Sequence, residues 1–394
     1  MNKRLIDRLM RTGVLTTHPS GLVRMRGVSG MSRRTFGKGV IASSAVLASG
    51  AVNPAFADAE VNFLGWQGYE EGLTHGGVAE DLGISVNATY MNDNNQIIAT
   101  ATGGGMGNMG IATPDHGYTP VMAEIGILEE LDVERLPNFP DLFDTFKTMQ
   151  GPNVDGVQYG LPYTWGSIPL MYNPKHVTEK PTSWLDILKP EYKGKVALVN
   201  DVISVMIPFT MTAASTHTPT RITQDQLDAA IDLIIKIKTE HARTIASGYG
   251  ELADLFASEE IIMAQAWEPV AAWAGDKGVE LAWTVPQEGT WTLVDCLAMI
   301  RNAPDQDAIY ELLNNGLSGP AQAHVANVNA TGATVMAAVP LLNERARSMY
   351  PYDNIAGFLE GTGGGPFPLW PLDEDGDLVT FDDVLNAWER FLKA

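Results

Sequence analysis

One cysteine in 394 residues leaves no room for an intrachain disulfide framework or a multi-cysteine metal site. Cys296 stands in an apolar run and reads as a small buried hydrophobe rather than a reactive thiol. The seven histidines contain no H-x-H or H-x-x-x-H pair, and neither H-E-x-x-H nor G-x-S-x-G occurs. The short zinc and nucleophile-elbow signatures are therefore missing, and neither a metal nor a cofactor is expected. Basic residues are also scarce, at 26 lysines and arginines against 47 acids. Nine of those basic residues and one of the acids lie before Asp58, which leaves 17 against 46, or −29, beyond it. A chain so charged repels nucleic acid and anionic membrane surfaces; it reads either as a solvated acidic surface or as an attractor of a cationic ligand.

The glycine-rich stretch Gly361 to Pro366 lacks the following Lys-Ser/Thr of a phosphate-cradling loop, so it reads as a flexible connection. Asp373 to Asp377 alternates acids like a calcium loop but lacks its central glycine and terminal glutamate, and reads as a solvated turn.

The chain opens with an export pattern. Ser32-Arg33-Arg34-Thr35-Phe36-Gly37-Lys38 matches a twin-arginine signature, an uncharged run from Gly39 to Val52 is too short to span a membrane, and Ala55-Phe56-Ala57 supplies a cleavage site. Residues 1–57 are accordingly set aside as a removed signal region, with Met1 or Met31 as the start, and the mature protein is expected in the periplasm. Its composition, 45% hydrophobic and 19% charged, is that of a globular protein long enough for two domains.

Beyond the leader, strands interleave with helices. Glu60 to Trp66, Ile84 to Met91 and Met109 to Thr113 read as strands, with a helix from about Asn94 between the last two. Gly160 to Tyr163 and Ser167 to Tyr172 read as two strands flanking Trp165-Gly166, followed by Lys195 to Val199. Thr223 to Gln226 is a capping box opening a helix; Ile261 to Ala266 and Leu281 to Val285 are strands, and helices are predicted at Asp305 to Leu317, from Pro340 to Ser348, and from Phe381 to Leu392. The predicted class is α/β with mainly parallel sheets, in which a ligand lies beyond the carboxyl ends of the strands. Those ends carry Trp66, Tyr69, Tyr118, Trp165, Trp267 and Trp291 together with Asp201, Glu268 and Asp295. Aromatic faces and carboxylates are what a desolvated ammonium requires, each ring contributing roughly 0.5 to 2 kcal/mol. Each aromatic turn is equally readable as a loop cover. Asp295, an acid inside an apolar strand, is a residue at a surface bend, a structural acid held by backbone donors, or a ligand group. A secreted hydrolase using dispersed carboxylates such as Glu70 and Glu268 is the alternative of a different class.

The stretch YGLPYTWGSIPLMYNPKHVTEKPTSWLDILKPEYKGKVALVND, Tyr159 to Asp201, resembles extracellular solute-binding proteins, above all the polyamine-binding branch with its P-Y-x-W-G and T-S-W-x-D-L-x-x-P-E-Y-K-G. The resemblance implies a two-lobed periplasmic binding protein fold (type II) that closes by hinge bending, with lobe 1 at 58–166 plus 296–338 and lobe 2 at 167–295 plus 339–394. It implies a non-enzymatic, monomeric ABC importer component that passes a putrescine- or spermidine-like amine to a membrane permease. A quaternary ammonium compound or another organic solute on the same fold is the nearer alternative. The ligand set it implies is Trp66, Gln67, Tyr69, His116, Tyr118, Trp165, Asp201, Trp267, Glu268 and Asp295. Departures are visible. The acid of the W-x-E-Y turn falls after Tyr69, Ser204 stands where the family's D-x-x-E has its glutamate, and Leu293 replaces a stacking ring.

Overall fold

The computed structural model describes residues 15–17, 23–25, 56, 59–91, 93–361 and 366–394. The Arg33-Arg34 signature, Ala55 and Ala57 of the cleavage site, and residues 362–365 of the glycine-rich stretch lie outside the described residues.

Strands β1 (Ala59–Gly65), β2 (Ile84–Tyr90), β3 (Ile111–Ala112) and β4 (Leu161–Ser167) come first. They are followed by β5 (Leu170–Tyr172), β6 (Val196–Val199), β7 (Ala242–Ala246), β8 (Met263–Gln265) and β9 (Ala282–Thr284), then β10 (Thr292–Met299) and β11 (Gly332–Ala333). Two sheets result. One has the order β11-β4-β10-β3-β1-β2 and the other β7-β6-β8-β5-β9. Within each, the early βα units pair in parallel, β1 with β2 and β3, and β6 with β7 and β8. The strands that carry the chain between sheets join antiparallel, β10 against β3 and β4, and β5 against β8 and β9. Helices cover both sheets, so β4 and β10 are buried along their whole length.

The break between β4 and β5 differs from the sequence reading. β4 runs straight through Trp165-Gly166, and the break comes at Ile168-Pro169, because proline has no N–H to continue a ladder. Gly166 allows the close crossing there: a Cβ on it would lie 2.6 Å from Trp267 Nε1. Just beyond, Ile168 N donates to Trp291 O at 3.0 Å, tying the outgoing crossing, β4 to β5, to the returning one, β9 to β10.

The helices used below are α1 (Tyr118–Glu124), α2 (Val202–Ala214), α3 (Gln224–Lys236), α4 (Tyr249–Ala257), α5 (Pro269–Asp276) and α6 (Phe381–Lys393). The Thr223 box forms, with Thr223 N donating to Gln226 Oε1 at 3.0 Å, and α3 buries Leu227, Ala230, Ile231 and Ile234. The helix expected from Pro340 begins later. Pro340 sits inside a 3-10 turn, Met336–Leu341, and the α-helix starts at Glu344 after Asn343, whose side chain accepts from Ala346 N at 2.8 Å. Leu342 and Ala346 pack into the core of the first sheet, whereas Phe381, Val384, Trp388 and Phe391 of α6 pack in the cluster that holds α3. Trp184 anchors the second core: it is fully buried, packs on Phe209 at 5.3 Å and donates its indole N–H to Gly289 O at 2.8 Å. Burying a ring of that size is worth about 4 to 6 kcal/mol at about 25 cal/mol per Å². Among the described residues no helix is long and apolar enough to cross a membrane.

Candidate functional site

The site grows from the strand ends of the first sheet. β1 ends at Gly65 and the chain turns through Trp66 to Tyr69, while Asp115 follows β3 and pairs with Asp295 of β10 in an isolated antiparallel bridge. Tyr69 OH donates to Asp295 Oδ2 at 2.8 Å and accepts from Thr164 Oγ1 at 2.6 Å. Tyr69, Asp115 and Asp295 are all buried, and Asp295 is only 5% exposed. The interior of β10 thus carries a buried carboxylate held by a phenol, not a surface bend. Burial, and after it the nearby Asp115 carboxylate, push the Asp295 carboxyl up to about 8; the Tyr69 hydroxyl and the Trp66 indole pull the other way without overcoming them. Trp66 faces this acid without a hydrogen bond of good geometry, and its indole N–H has no partner among the described residues. Asp115 is held in turn: Oδ1 accepts from Gly117 N at 2.9 Å, Oδ2 lies 3.0 Å from His116 Nδ1, and its own N donates to Asn94 Oδ1 at 2.8 Å.

The second sheet contributes a matching group. Asp201 follows β6 and caps α2, with Oδ1 accepting from Ser204 N at 3.4 Å and Oδ2 accepting from Tyr249 OH at 3.1 Å. Burial raises the Asp201 carboxyl above its ordinary value, against the lowering by those two partners. Tyr249 at the start of α4 meets Trp267 edge-on at 6.2 Å, and the Trp267 indole N–H, like that of Trp66, is buried without a partner among the described residues. Tyr118 joins the halves. It lies at the start of α1 in the first lobe, touches Phe381 of α6 edge-on at 6.3 Å, and its hydroxyl is raised well above its usual value by burial and then by Asp201.

Of the expected ligand residues, Trp66, Tyr69, His116 and Asp295 therefore converge on one lobe, Asp201 and Trp267 on the other, with Tyr118 between them. Three stand apart. Gln67 is exposed. Trp165 points to the opposite face of β4 from Thr164, as successive strand residues must, and its indole N–H is spent on Ala333 O at 3.0 Å. Its ring packs on Tyr350 at 5.0 Å and Phe146 at 5.9 Å. Glu268 lies at the crossing, where its carboxylate accepts from Ser167 N at 2.9 Å and from the Ser167 hydroxyl; burial pushes its carboxyl up to about 7. Glu70, which a glycosidase would pair with Glu268, accepts instead from Tyr90 OH and Gly68 N. Asp115, Thr164 and Tyr249 take part in these contacts without being among the expected ligand residues. Tyr249 follows β7 by three residues and so falls under the same strand-end rule that found Trp267. A cavity of about 520 Å³ lies beside His116, Gly117, Pro120, Gln150 and Asp155, but its described walls hold neither acid of the cleft nor a tryptophan.

Residues 78–344 match the family described as bacterial extracellular solute-binding protein. The spermidine/putrescine-binding periplasmic protein 1 of Haemophilus influenzae is 26% identical over 240 residues, covering 60% of this chain and 64% of that protein, a little under two thirds of its length. The spermidine/putrescine-binding periplasmic protein of Escherichia coli is 27% identical over 247 residues, 61% of this chain and 68% of that one. Among solved structures, a spermidine/putrescine ABC transporter substrate-binding protein from Streptococcus pneumoniae superposes with a TM-score of 0.66 at 18% identity, covering 84% of this chain and 99% of its own. That likeness is one of fold, two lobes joined by crossing strands, as the two sheets here are. The match over 267 of 394 residues settles descent: this chain belongs to the bacterial extracellular solute-binding protein family.

Proposed function

We propose that this protein binds a small cationic amine of the putrescine or spermidine kind between its lobes and delivers it to an ABC permease in the membrane. One observation carries the reading: the buried Tyr118 hydroxyl feels both Asp201 of the second sheet and Asp115, which is bridged to Asp295 of the first, and no lysine or arginine is among the groups acting on Asp201 or Asp295. Desolvated carboxylates flanked by ring faces hold an ammonium and repel an anion. The names of the relatives support the ligand class, and their periplasmic location supports the same compartment. The reading is of a binding protein rather than a catalyst, monomeric, with lobe 1 built from 58–166 plus 296–338 and lobe 2 from 167–295 plus 339–394, the middle crossing being drawn earlier than Asp295 because β10 joins the first sheet from Thr292. The last crossing is drawn later than Ala338, towards Phe367, because Leu342 and Ala346 share the first core.

A thermal-shift panel of putrescine, spermidine, betaines, sugars and organic anions tests the ligand class. An amine at 100 times its Kd should stabilise the protein by about 2.7 kcal/mol, and a panel in which only sugars or anions raise Tm removes the amine reading.

Export by the twin-arginine route belongs to the same proposal, resting on Arg33-Arg34 and the Ala55-Phe56-Ala57 site. Changing both arginines to lysine should leave the precursor inside the cell. Periplasmic protein in such a strain, found by fractionation, would count against this route.

A further inference from the structure

Among the described residues His116 is the one ionisable base acting on Asp295, and its surroundings say what it does there. Nδ1 lies 3.0 Å from Asp115 Oδ2 and Nε2 lies 2.9 Å from the carbonyl oxygen of Phe367. Both partners are acceptors, whereas a neutral imidazole has one N–H and one lone pair. The neutral ring would turn that lone pair onto an oxygen; the imidazolium donates to both. The ring is 2% exposed and Asp115 3%, so no solvent rearrangement relieves the mismatch. The charged groups acting on the ring are Asp115, from the same turn, and more weakly Asp295, from β10; burial favours the neutral ring, but Asp115 and the Phe367 carbonyl outweigh it and raise the proton affinity.

We propose that His116 is a resident imidazolium counter-ion that neutralises Asp115, so that of the Asp115–Asp295 pair only Asp295 presents a net negative charge to the ligand and His116 sets how many ligand charges that pair accepts. This rests on the amine reading and deepens it. Asp115 and Asp295 are cross-strand neighbours, and without an internal cation the two would form a doubly anionic subsite suited to a more highly charged head. Asp115 has both oxygens engaged, by Gly117 N and by His116, so the imidazolium offsets its charge at Oδ2 itself. The Asp115–Asp295 pair is left with one uncompensated acid and lobe 2 with Asp201; Asp93, the other acid acting on Tyr118, accepts from Asn95 N at 2.8 Å. Two acids, one per lobe, match the two ends of a diamine better than the three charges of a triamine.

Two measurements decide it. In 15N-histidine-labelled wild-type protein, with the ring assigned through bonds to the His116 backbone, both ring nitrogens should remain protonated at pH 7.5, above the range in which histidines ordinarily titrate. Calorimetry with butylamine, putrescine and spermidine on wild type and on His116→Gln should show the affinity ratio of spermidine to butylamine rise on the order of tenfold in the variant, as Asp115 becomes a second free charge. A neutral ring at pH 7.5, or a folded His116→Gln with an unchanged ratio, overturns the proposal. If the variant does not fold, the charge state of the ring decides. Wild-type protein that binds none of the three amines sinks the amine reading instead, and is told apart because the ring is measured without ligand.

Discussion

Replacing Asp295 by asparagine should weaken binding of putrescine or spermidine by about 30-fold to several thousandfold, the cost of about 2 to 5 kcal/mol that follows when one partner of a buried charged pair is removed. The substitution keeps the side-chain shape, and the amide oxygen still accepts from Tyr69 OH, now at 2.8 Å from the carboxylate. The fold should therefore survive. Removal of a carboxyl that burial and Asp115 push up to about 8 should even make the unliganded protein more stable above neutral pH. Loss of affinity with gain of stability is the signature of an acid kept for binding. Titration calorimetry on the two proteins, with a melting curve of each without ligand, checks both halves. Equal amine affinity in wild type and Asp295→Asn would take Asp295 out of the site.

What the sequence disclosed of this arrangement follows from what is local. A strand end followed by an aromatic turn is a local pattern, and it places Trp66, Tyr69, Tyr118 and Trp267 just beyond strands; a capping box is local, and it fixed the start of α3 at Gln224. The bond between Tyr69 and Asp295 joins residues 226 positions apart, and no spacing rule reaches so far. Orientation was hidden too. Period-two alternation places Thr164 and Trp165 on opposite faces but does not say which face meets Tyr69, so the larger aromatic draws the assignment while the threonine makes the bond. Glu268 illustrates the same ambiguity. A strand-end acid looks alike in sequence whether it serves a ligand or, as here, grips the crossing at Ser167. The break at Pro169 was legible, since a proline cannot continue a ladder, but Trp165-Gly166 was the more conspicuous interruption. In the last part of the chain, Pro340 was read as a helix start because proline suits a first helical turn, and the Asn343 cap three residues later prevailed.

Amine affinity should also climb with pH, by about tenfold per unit from pH 6 to about 8, and then level off. The sign follows from the direction of the shift. Asp295 has its folded-state carboxyl raised, by burial first and Asp115 second, to about 8, so in the unliganded protein it is mostly protonated at pH 6 and ionised only above its raised value. An ammonium ligand needs the carboxylate and is itself protonated across this range, with an ordinary value near 10.4 for an alkylamine. Binding must then expel a proton, and the work of expelling it falls by about 1.4 kcal/mol for each unit that pH rises towards the raised value. The same linkage makes the unliganded fold less stable in that direction: a raised carboxyl contributes stability that is complete below its unfolded value and lost as pH rises through the folded one. Glu268, pushed up to about 7 at the crossing, adds a second loss in the same direction over its own range. Affinity and unliganded stability should therefore move oppositely with pH, which separates proton-linked binding from acid damage to the protein. Calorimetry at pH 6, 7 and 8 in two buffers of different ionisation enthalpy gives both the slope and the proton count, expected to approach one at pH 6. Asp295→Asn should lose the slope along with the affinity; a wild-type affinity flat from pH 6 to 8 would show that the acid is ionised before the ligand arrives.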